Sequence, residues 1–218
     1  SHVDIAFFTD ALDQLCAKLG LSRFYLYGQS WGSLLGLEYY LRHPGNVKAL
    51  IFSSPLISTP AWIKDTDVLI STLPEDTRQT IRKHEADGTY ESVEYQQAMQ
   101  VFYERFVARK LPWSEDLLKS LELMAPDIYH HMWGPSEFTI NGLLRTHDRS
   151  ACLKDIRVPV LYLCGEFDEA RPETISKFHA MTPGSKMHVI KGAAHVTMHD
   201  APGADAAIIR EFLAELPE

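Results

Sequence analysis

The stretch Arg23–Pro44, RFYLYGQSWGSLLGLEYYLRHP, places a short β-prone run, a glycine-flanked turn and a helix-periodic run in immediate succession. RFYLYG reads as a strand, and WGSLLGLEYYLRH keeps helical spacing until Pro44 stops it. Upstream, Val3, Phe7, Ala11, Leu15 and Leu19 recur at helical intervals and Gly20 follows as a stop. The same alternation returns downstream. VKALIFSSP (47–55) reads as a second strand, and a third lies within VPVLYLCGEFDEARP (158–172). KMHVIKGAAH (186–195) holds a fourth, with helices expected over 172–181 and 202–216. Strands alternating with helices predict an α/β fold, a mostly parallel sheet covered on both faces.

Between Leu56 and about Arg149 the pattern changes to aromatic-rich, charged helical segments punctuated by Pro60, Pro74, Gly88, Pro112, Pro126 and Pro135. The chain therefore divides into residues 1–56, the first part of a sheet core; 57–149, a helical insertion expected to cap the sheet; and 150–218, the second part of the core. No repeat or low-complexity tract interrupts this organisation.

Composition narrows the function classes. With 218 residues, 45% of them apolar, one core with one large insertion is affordable, and the formal charge of −8 leaves no basic footprint for nucleic acid or anionic lipid. No run reaches the roughly 18 apolar residues of a membrane helix. The N-terminus SHVDIAFF has no positive region of a signal peptide, so a cytoplasmic protein is expected, with no membrane and no nucleic-acid partner. Cys16, Cys152 and Cys164 are too far apart for a disulfide framework or a zinc knuckle and read as core thiols. The adjacent pair His130–His131 would diverge by about 100° on a helix, and no metal site is expected.

Gly28-Gln29-Ser30-Trp31-Gly32 fits G-x-S-x-G, a common pattern whose weight here comes from its place at a strand end and helix start. A sharp turn there lifts a serine hydroxyl above the sheet and aims the positive end of a helix at it. A nucleophilic serine needs a base and an acid to orient that base, expected in the order serine, acid, histidine. Asp168 follows the third strand and His195 the fourth, both at the C-terminal edge of the sheet where such sites collect. His188 lies inside a strand and His199 toward the last helix, which leaves His195 as the better base.

Four stretches together, GQSWGS, MWGPSEFT (132–139), GEFDEARPE (165–173) and GAAHVTMHD (192–200), resemble the proline iminopeptidase family of α/β-hydrolases, which includes the tricorn-interacting aminopeptidase factor and the L-amino acid amidases. The resemblance spans essentially the whole chain. It implies an α/β-hydrolase fold with a helical cap, a triad of Ser30, Asp168 and His195, and no metal or organic cofactor. It further implies that Glu137 and Glu169 hold the free α-ammonium group of a small peptide or amino acid amide, with the Trp31 N–H as one oxyanion donor. Tyr129, eight residues before Glu137, is a candidate hydroxyl donor to the substrate carbonyl or a packed aromatic. Trp62, Trp113, Trp133, Phe102 and Phe106 are expected to shape an apolar pocket or to fill core.

The family's glycine-rich loop, which supplies a second oxyanion N–H, and its first four strands have no counterpart in this sequence. The strand RFYLYG would then present a bare edge. The expectation is a C-terminal portion whose partner is the N-terminal portion of the same fold, as a preceding segment or a separate chain. Three functions follow: an aminopeptidase or amidase acting beside a free α-amino group, an esterase or tailoring hydrolase of a biosynthetic pathway with the same triad, or a catalytically incomplete hydrolase-fold binding protein.

Overall fold

The computed structural model of the chain describes residues 3–216; the outermost residues of the two expected core segments, 1–2 and 217–218, lie outside the described residues. In chain order the elements are α1 (Ile5–Lys18), β1 (Phe24–Gln29), α2 (Trp31–Arg42), β2 (Val47–Ser53), α3 (Thr59–Ser71), α4 (Glu75–Asp87), α5 (Val93–Phe106), α6 (Glu115–Glu122), α7 (Pro126–Met132), β3 (Val160–Gly165), α8 (Pro172–Met181), β4 (Lys186–Ile190), α9 (Thr197–Asp200) and α10 (Pro202–Ala214). The strands form one parallel sheet in the order β1-β2-β3-β4, with pairings such as Gly28↔Phe52, Phe52↔Tyr162 and Leu163↔His188.

Burial follows position in the sheet. Strand β3 is buried along its whole length, as a central strand between two helical layers should be. Strand β1 pairs only with β2 among the described residues, and its Tyr25 and Tyr27 are exposed. On one face Leu34 and Leu37 of α2, Phe52 of β2, Tyr162 of β3 and Phe178 of α8 share a core with Cys16 of α1. On the other, Ile51 and Leu163 meet Phe212 of α10. Cys16 and Cys164 are the core thiols expected, whereas Cys152 is only half-buried, because it sits in the short 3-10 turn Ser150–Asp155 at the sheet's margin.

Helices α3 to α7 replace the sheet pattern between β2 and β3, and α3, α4 and α5 enclose a core of their own with Phe138, in which Phe102 packs against Phe106 and Phe138. The two ends of this insertion are fastened together. Thr59 N–H donates to the His147 carbonyl, Arg149 N–H to the Ile57 carbonyl, and Ser58 bridges Asp148. Beneath that junction the buried Glu38 of α2 accepts from His147 Nε2 at 3.0 Å and Arg149 Nε at 2.6 Å. Burial alone would raise the Glu38 pKa, but these two partners hold its carboxyl below the ordinary range.

The β1–α2 turn depends on Gly28. A Cβ there would stand 2.2 Å from the Gly32 carbonyl oxygen, a backbone atom that cannot swing aside. Gly28→Ala is therefore expected to cost about 2–3 kcal/mol of stability, the scale of an overpacked site, read as a lowered midpoint in urea unfolding.

Candidate active site

Ser30 occupies the tip of the β1–α2 turn at φ 52° and ψ −123°. This left-handed backbone costs a non-glycine residue on the order of 1–3 kcal/mol and persists only where the surroundings impose it. Here they do. Ser30 N–H donates to the Ser53 carbonyl, its own carbonyl accepts from Ser33 N–H, and Ser33 Oγ–H donates to the Gly28 carbonyl. Although Ser30 stands at the N-cap position of α2, its hydroxyl caps nothing. That hydroxyl is left facing outward beside the helix N-terminus, where partial positive charge gathers.

Asp168 lies in the turn after β3 and is fully buried. Its Oδ1 accepts from Ala170 N–H at 2.8 Å and lies 2.9 Å from His195 Nδ1; its Oδ2 accepts from Gly165 N–H at 3.1 Å. Ser54 Oγ completes the shell, 2.6 Å from Asp168 Oδ2 and 2.8 Å from the His195 carbonyl oxygen, one proton facing two acceptors. The acidic partner fixes Nδ1 of the imidazole as the protonated nitrogen and leaves Nε2 free to act as a base. His195 Nε2 and Ser30 Oγ line the same cavity without a hydrogen bond between them, an arrangement that ordinarily tightens when substrate binds. His188 is exposed on β4, and His199 faces the Lys110 carbonyl at 2.9 Å, so neither rival histidine reaches this cavity.

The two glutamates lie near enough for their charges to interact, but only Glu137 lines the cavity. Glu137 lines the cavity, half-buried, and its Oε1 accepts from the Tyr129 hydroxyl at 2.8 Å. Glu169 is fully buried, 3.7 Å by its Oε1 from His195 Nε2, and neither of its oxygens has a hydrogen-bond partner in the protein. Burial, reinforced by the charges of Glu137 and Asp168, pushes the Glu169 carboxyl well above the ordinary range. Burial likewise raises Glu137, against the pull of His195 and the Tyr129 hydroxyl. A buried carboxyl without any donor, its charge disfavoured by burial and by the neighbouring acidic groups, is chemically suited to a cation carrying N–H groups.

Tyr129 differs from its sequence expectation as a donor to a substrate carbonyl: its hydroxyl is committed to Glu137, because the two side chains leave adjacent segments of the cap on the same side. Trp62, Trp113 and Trp133 do line the cavity, but Phe102 and Phe106 fill the separate core of the insertion. Trp62 also holds its indole edge-on to the His195 ring, 5.4 Å between centroids, and donates to the Glu137 carbonyl.

Three contributors escaped sequence reasoning. Ser54 takes a left-handed φ of 47° at the end of β2, and the only sign of it was the SSP tripeptide. Tyr103, on α5, lines the cavity and accepts from Glu137 N–H. Asp200 accepts backbone N–H bonds from Arg109, Lys110 and Ala194, while His195 and Val196 donate to the carbonyls of Phe106 and Val107. The histidine loop is thus pinned to the insertion rather than to the sheet alone.

A parallel sheet with a serine on a strained strand-to-helix turn, and an acid and a histidine at the next strand ends, defines a hydrolase of the α/β class. In agreement, the family described as alpha/beta hydrolase fold matches residues 2–202. A proline iminopeptidase of Heyndrickxia coagulans is 42% identical over 209 residues, covering 94% of this chain and 72% of its own length. Among solved structures, VinJ superposes with a TM-score of 0.94 at 34% identity, over 98% of this chain and 73% of VinJ. Proline iminopeptidase of Mycobacterium smegmatis superposes with a TM-score of 0.88 at 33% identity, over 98% of this chain and 74% of that one. Identity of this degree over this much of both chains makes the protein a member of the proline iminopeptidase family.

Asp200→Ala would leave three backbone donors without their acceptor and free the histidine loop from the insertion. A loss of about 2 kcal/mol in stability is expected, together with faster amide hydrogen exchange at His195 and Val196, measured by mass spectrometry.

Proposed function

We propose that the protein is a serine hydrolase that cleaves the amide bond next to a free α-amino group, as an aminopeptidase or an amino acid amidase. One observation carries this reading: the buried Glu169 carboxylate, without a donor of its own, stands beside Glu137 and within 3.7 Å of His195. A substrate ammonium shared by the two glutamates sets the adjacent carbonyl at Ser30. Ser30 Oγ attacks, and His195 Nε2 takes its proton while Asp168 holds Nδ1–H and stabilises the imidazolium. The Trp31 N–H and the N-terminus of α2 stabilise the oxyanion. His195 then protonates the departing amine, and water brought in by the same base releases the amino acid. The Tyr129 hydroxyl keeps Glu137 oriented toward the ammonium. An ammonium on Glu169 also screens His195 from that carboxylate, which leaves Nε2 to Ser30. The relatives named as proline iminopeptidases support proline as one N-terminal residue. We place the protein in the cytoplasm, on the strength of three unpaired cysteines, which a reducing compartment preserves. Among the described residues no helix is long and apolar enough to cross a membrane.

Prolyl and alanyl p-nitroanilides are expected to be cleaved at least about a hundredfold faster than their N-acetylated forms, the scale of leaving a buried charge unpaired. Equal rates on free and blocked substrates would remove the ammonium anchor. A fluorophosphonate is expected to label Ser30 and to leave Ser30→Ala unlabelled.

The raised carboxyl of Glu169 has a consequence for stability. A carboxyl whose pKa is higher in the folded than in the unfolded chain loses stability for the fold as pH climbs from the unfolded value through the folded one. Without substrate, the protein should therefore become less stable from the ordinary carboxylate range toward neutral pH, and Glu169→Gln should flatten that slope and be the more stable protein at neutral pH. Urea titrations of both proteins across that range measure the difference.

A further inference from the structure

The cavity that holds Ser30, His195 and Glu137 has a volume of about 630 Å³. Cavities of this size house drug-sized ligands, and the reacting groups occupy only one part of this one. Much of the remainder is lined by α6 and the segments on either side of it, through Trp113 before the helix, Leu117 and Leu121 on it, Met124 in the turn after it and Ile128 of α7. Helix α6 is unusual in the molecule. None of its residues is buried, although Leu117, Leu118 and Leu121 sit together on one of its faces. Leu117 and Leu121 line the cavity instead of packing into a core, Leu118 is exposed outside that lining, and Leu121, Met124 and Ile128 remain exposed.

Charge in this region is one-sided. No lysine or arginine lines the cavity among the described residues. The roof segment 114–132 carries Glu115, Asp116, Glu122 and Asp127 against the single cation Lys119. The carboxylate at the end of a dipeptide would meet no counter-charge among the described residues and would lie beneath a negative potential. An uncharged apolar group meets no such penalty and gains the burial.

We infer that the preferred substrate is an aminoacyl amide of a bulky, uncharged, apolar amine. Its free amino group sits on Glu137 and Glu169, and the amine portion that leaves lies under α6. The inference rests on the function proposed above. With the ammonium on the glutamates and the carbonyl at Ser30, the aminoacyl part spans the polar corner of the cavity, and the leaving amine is the part that extends into the apolar remainder. No new chemistry is involved: the amide C–N bond breaks, water supplies the hydroxyl of the released amino acid, and its proton goes to the apolar amine.

The test uses alanine ethylamide, butylamide and octylamide, the dipeptide Ala-Leu, leucine ethylamide and N-acetylalanine octylamide, with kcat/KM measured for each. A rise of about a hundredfold from ethylamide to octylamide is expected, below the full transfer value of six methylenes, and the octylamide should exceed Ala-Leu by at least as much. The octylamide-to-ethylamide ratio should fall about tenfold in Leu121→Asp and be kept in Leu121→Met. A flat alkylamide series, or Ala-Leu as the better substrate, would overturn the inference. So would a gain that follows the aminoacyl side chain, with leucine ethylamide as good as alanine octylamide. The N-acetylated octylamide separates the two readings. If it is cleaved as fast as the free form, the ammonium anchor fails while the apolar chamber stands; if free amines are required but chain length is without effect, the chamber alone fails.

Discussion

The carboxylate of Asp168 is the point at which the separate parts of the site meet. It is buried and receives Gly165 N–H, Ala170 N–H, the His195 ring and the approach of Ser54 Oγ. Burying a carboxylate is expensive unless its lone pairs are filled, and filling them requires the end of β2, the turn after β3 and the loop after β4 to come to one place. The relative heights of three strand ends are thereby fixed by one side chain. The serine turn takes its position from the same strand through the Ser30 N–H bond to the Ser53 carbonyl, one residue before Ser54. Ser30 and His195 are thus referred to the adjacent residues Ser53 and Ser54 at the end of β2, and the two non-glycine residues with positive φ, Ser30 and Ser54, both belong to this junction.

A second constraint acts from above the sheet. The His195 loop hydrogen-bonds to residues 106 and 107 at the end of α5, and Asp200 gathers the N–H groups of residues 109, 110 and 194. The insertion therefore does more than cover the cavity. It supplies part of the frame that holds the imidazole, and through Trp62 it also packs the ring's edge and grips the backbone of Glu137. His195 and Glu137 are set relative to each other by a single indole. In such an arrangement the placement of the imidazole and that of the Glu137 backbone are coupled through one packed side chain.

Much of this was legible in the sequence, for identifiable reasons. The strand ends carry distinctive residues, so Gly28 and Gly32 around Ser30 and the acidic turn around Asp168 could be placed from their neighbours alone. Hydrophobic periodicity marked β2 and β3 because their burial is nearly complete. The contributions of Ser54, Tyr103 and Asp200 were not legible, since each acts through contacts between residues about 30 to 140 positions apart that leave no local pattern. Tyr129 differs, since its partner Glu137 is only eight residues away and was visible in sequence, but the direction of its hydroxyl was not. Aromatic residues of the insertion misled for a related reason. A tryptophan lining a cavity and a phenylalanine filling a core look alike on a helix of period 3.6, and only the placement of α5 separates Phe102 from Trp113.

Residues 57–59 and 147–149 are tied to each other and to Glu38, so the chain leaves the sheet layer and returns to it through one narrow neck. Whatever lies between those points can lengthen, shorten or exchange its helices without shifting the register of β2 against β3. The neck makes the intervening hundred or so residues an interchangeable cassette. Descendants of such a chain can try new roofs over the sheet, limited by the need to keep Trp62, Tyr103 and Glu137 at the cavity and the few backbone atoms that the histidine loop grasps.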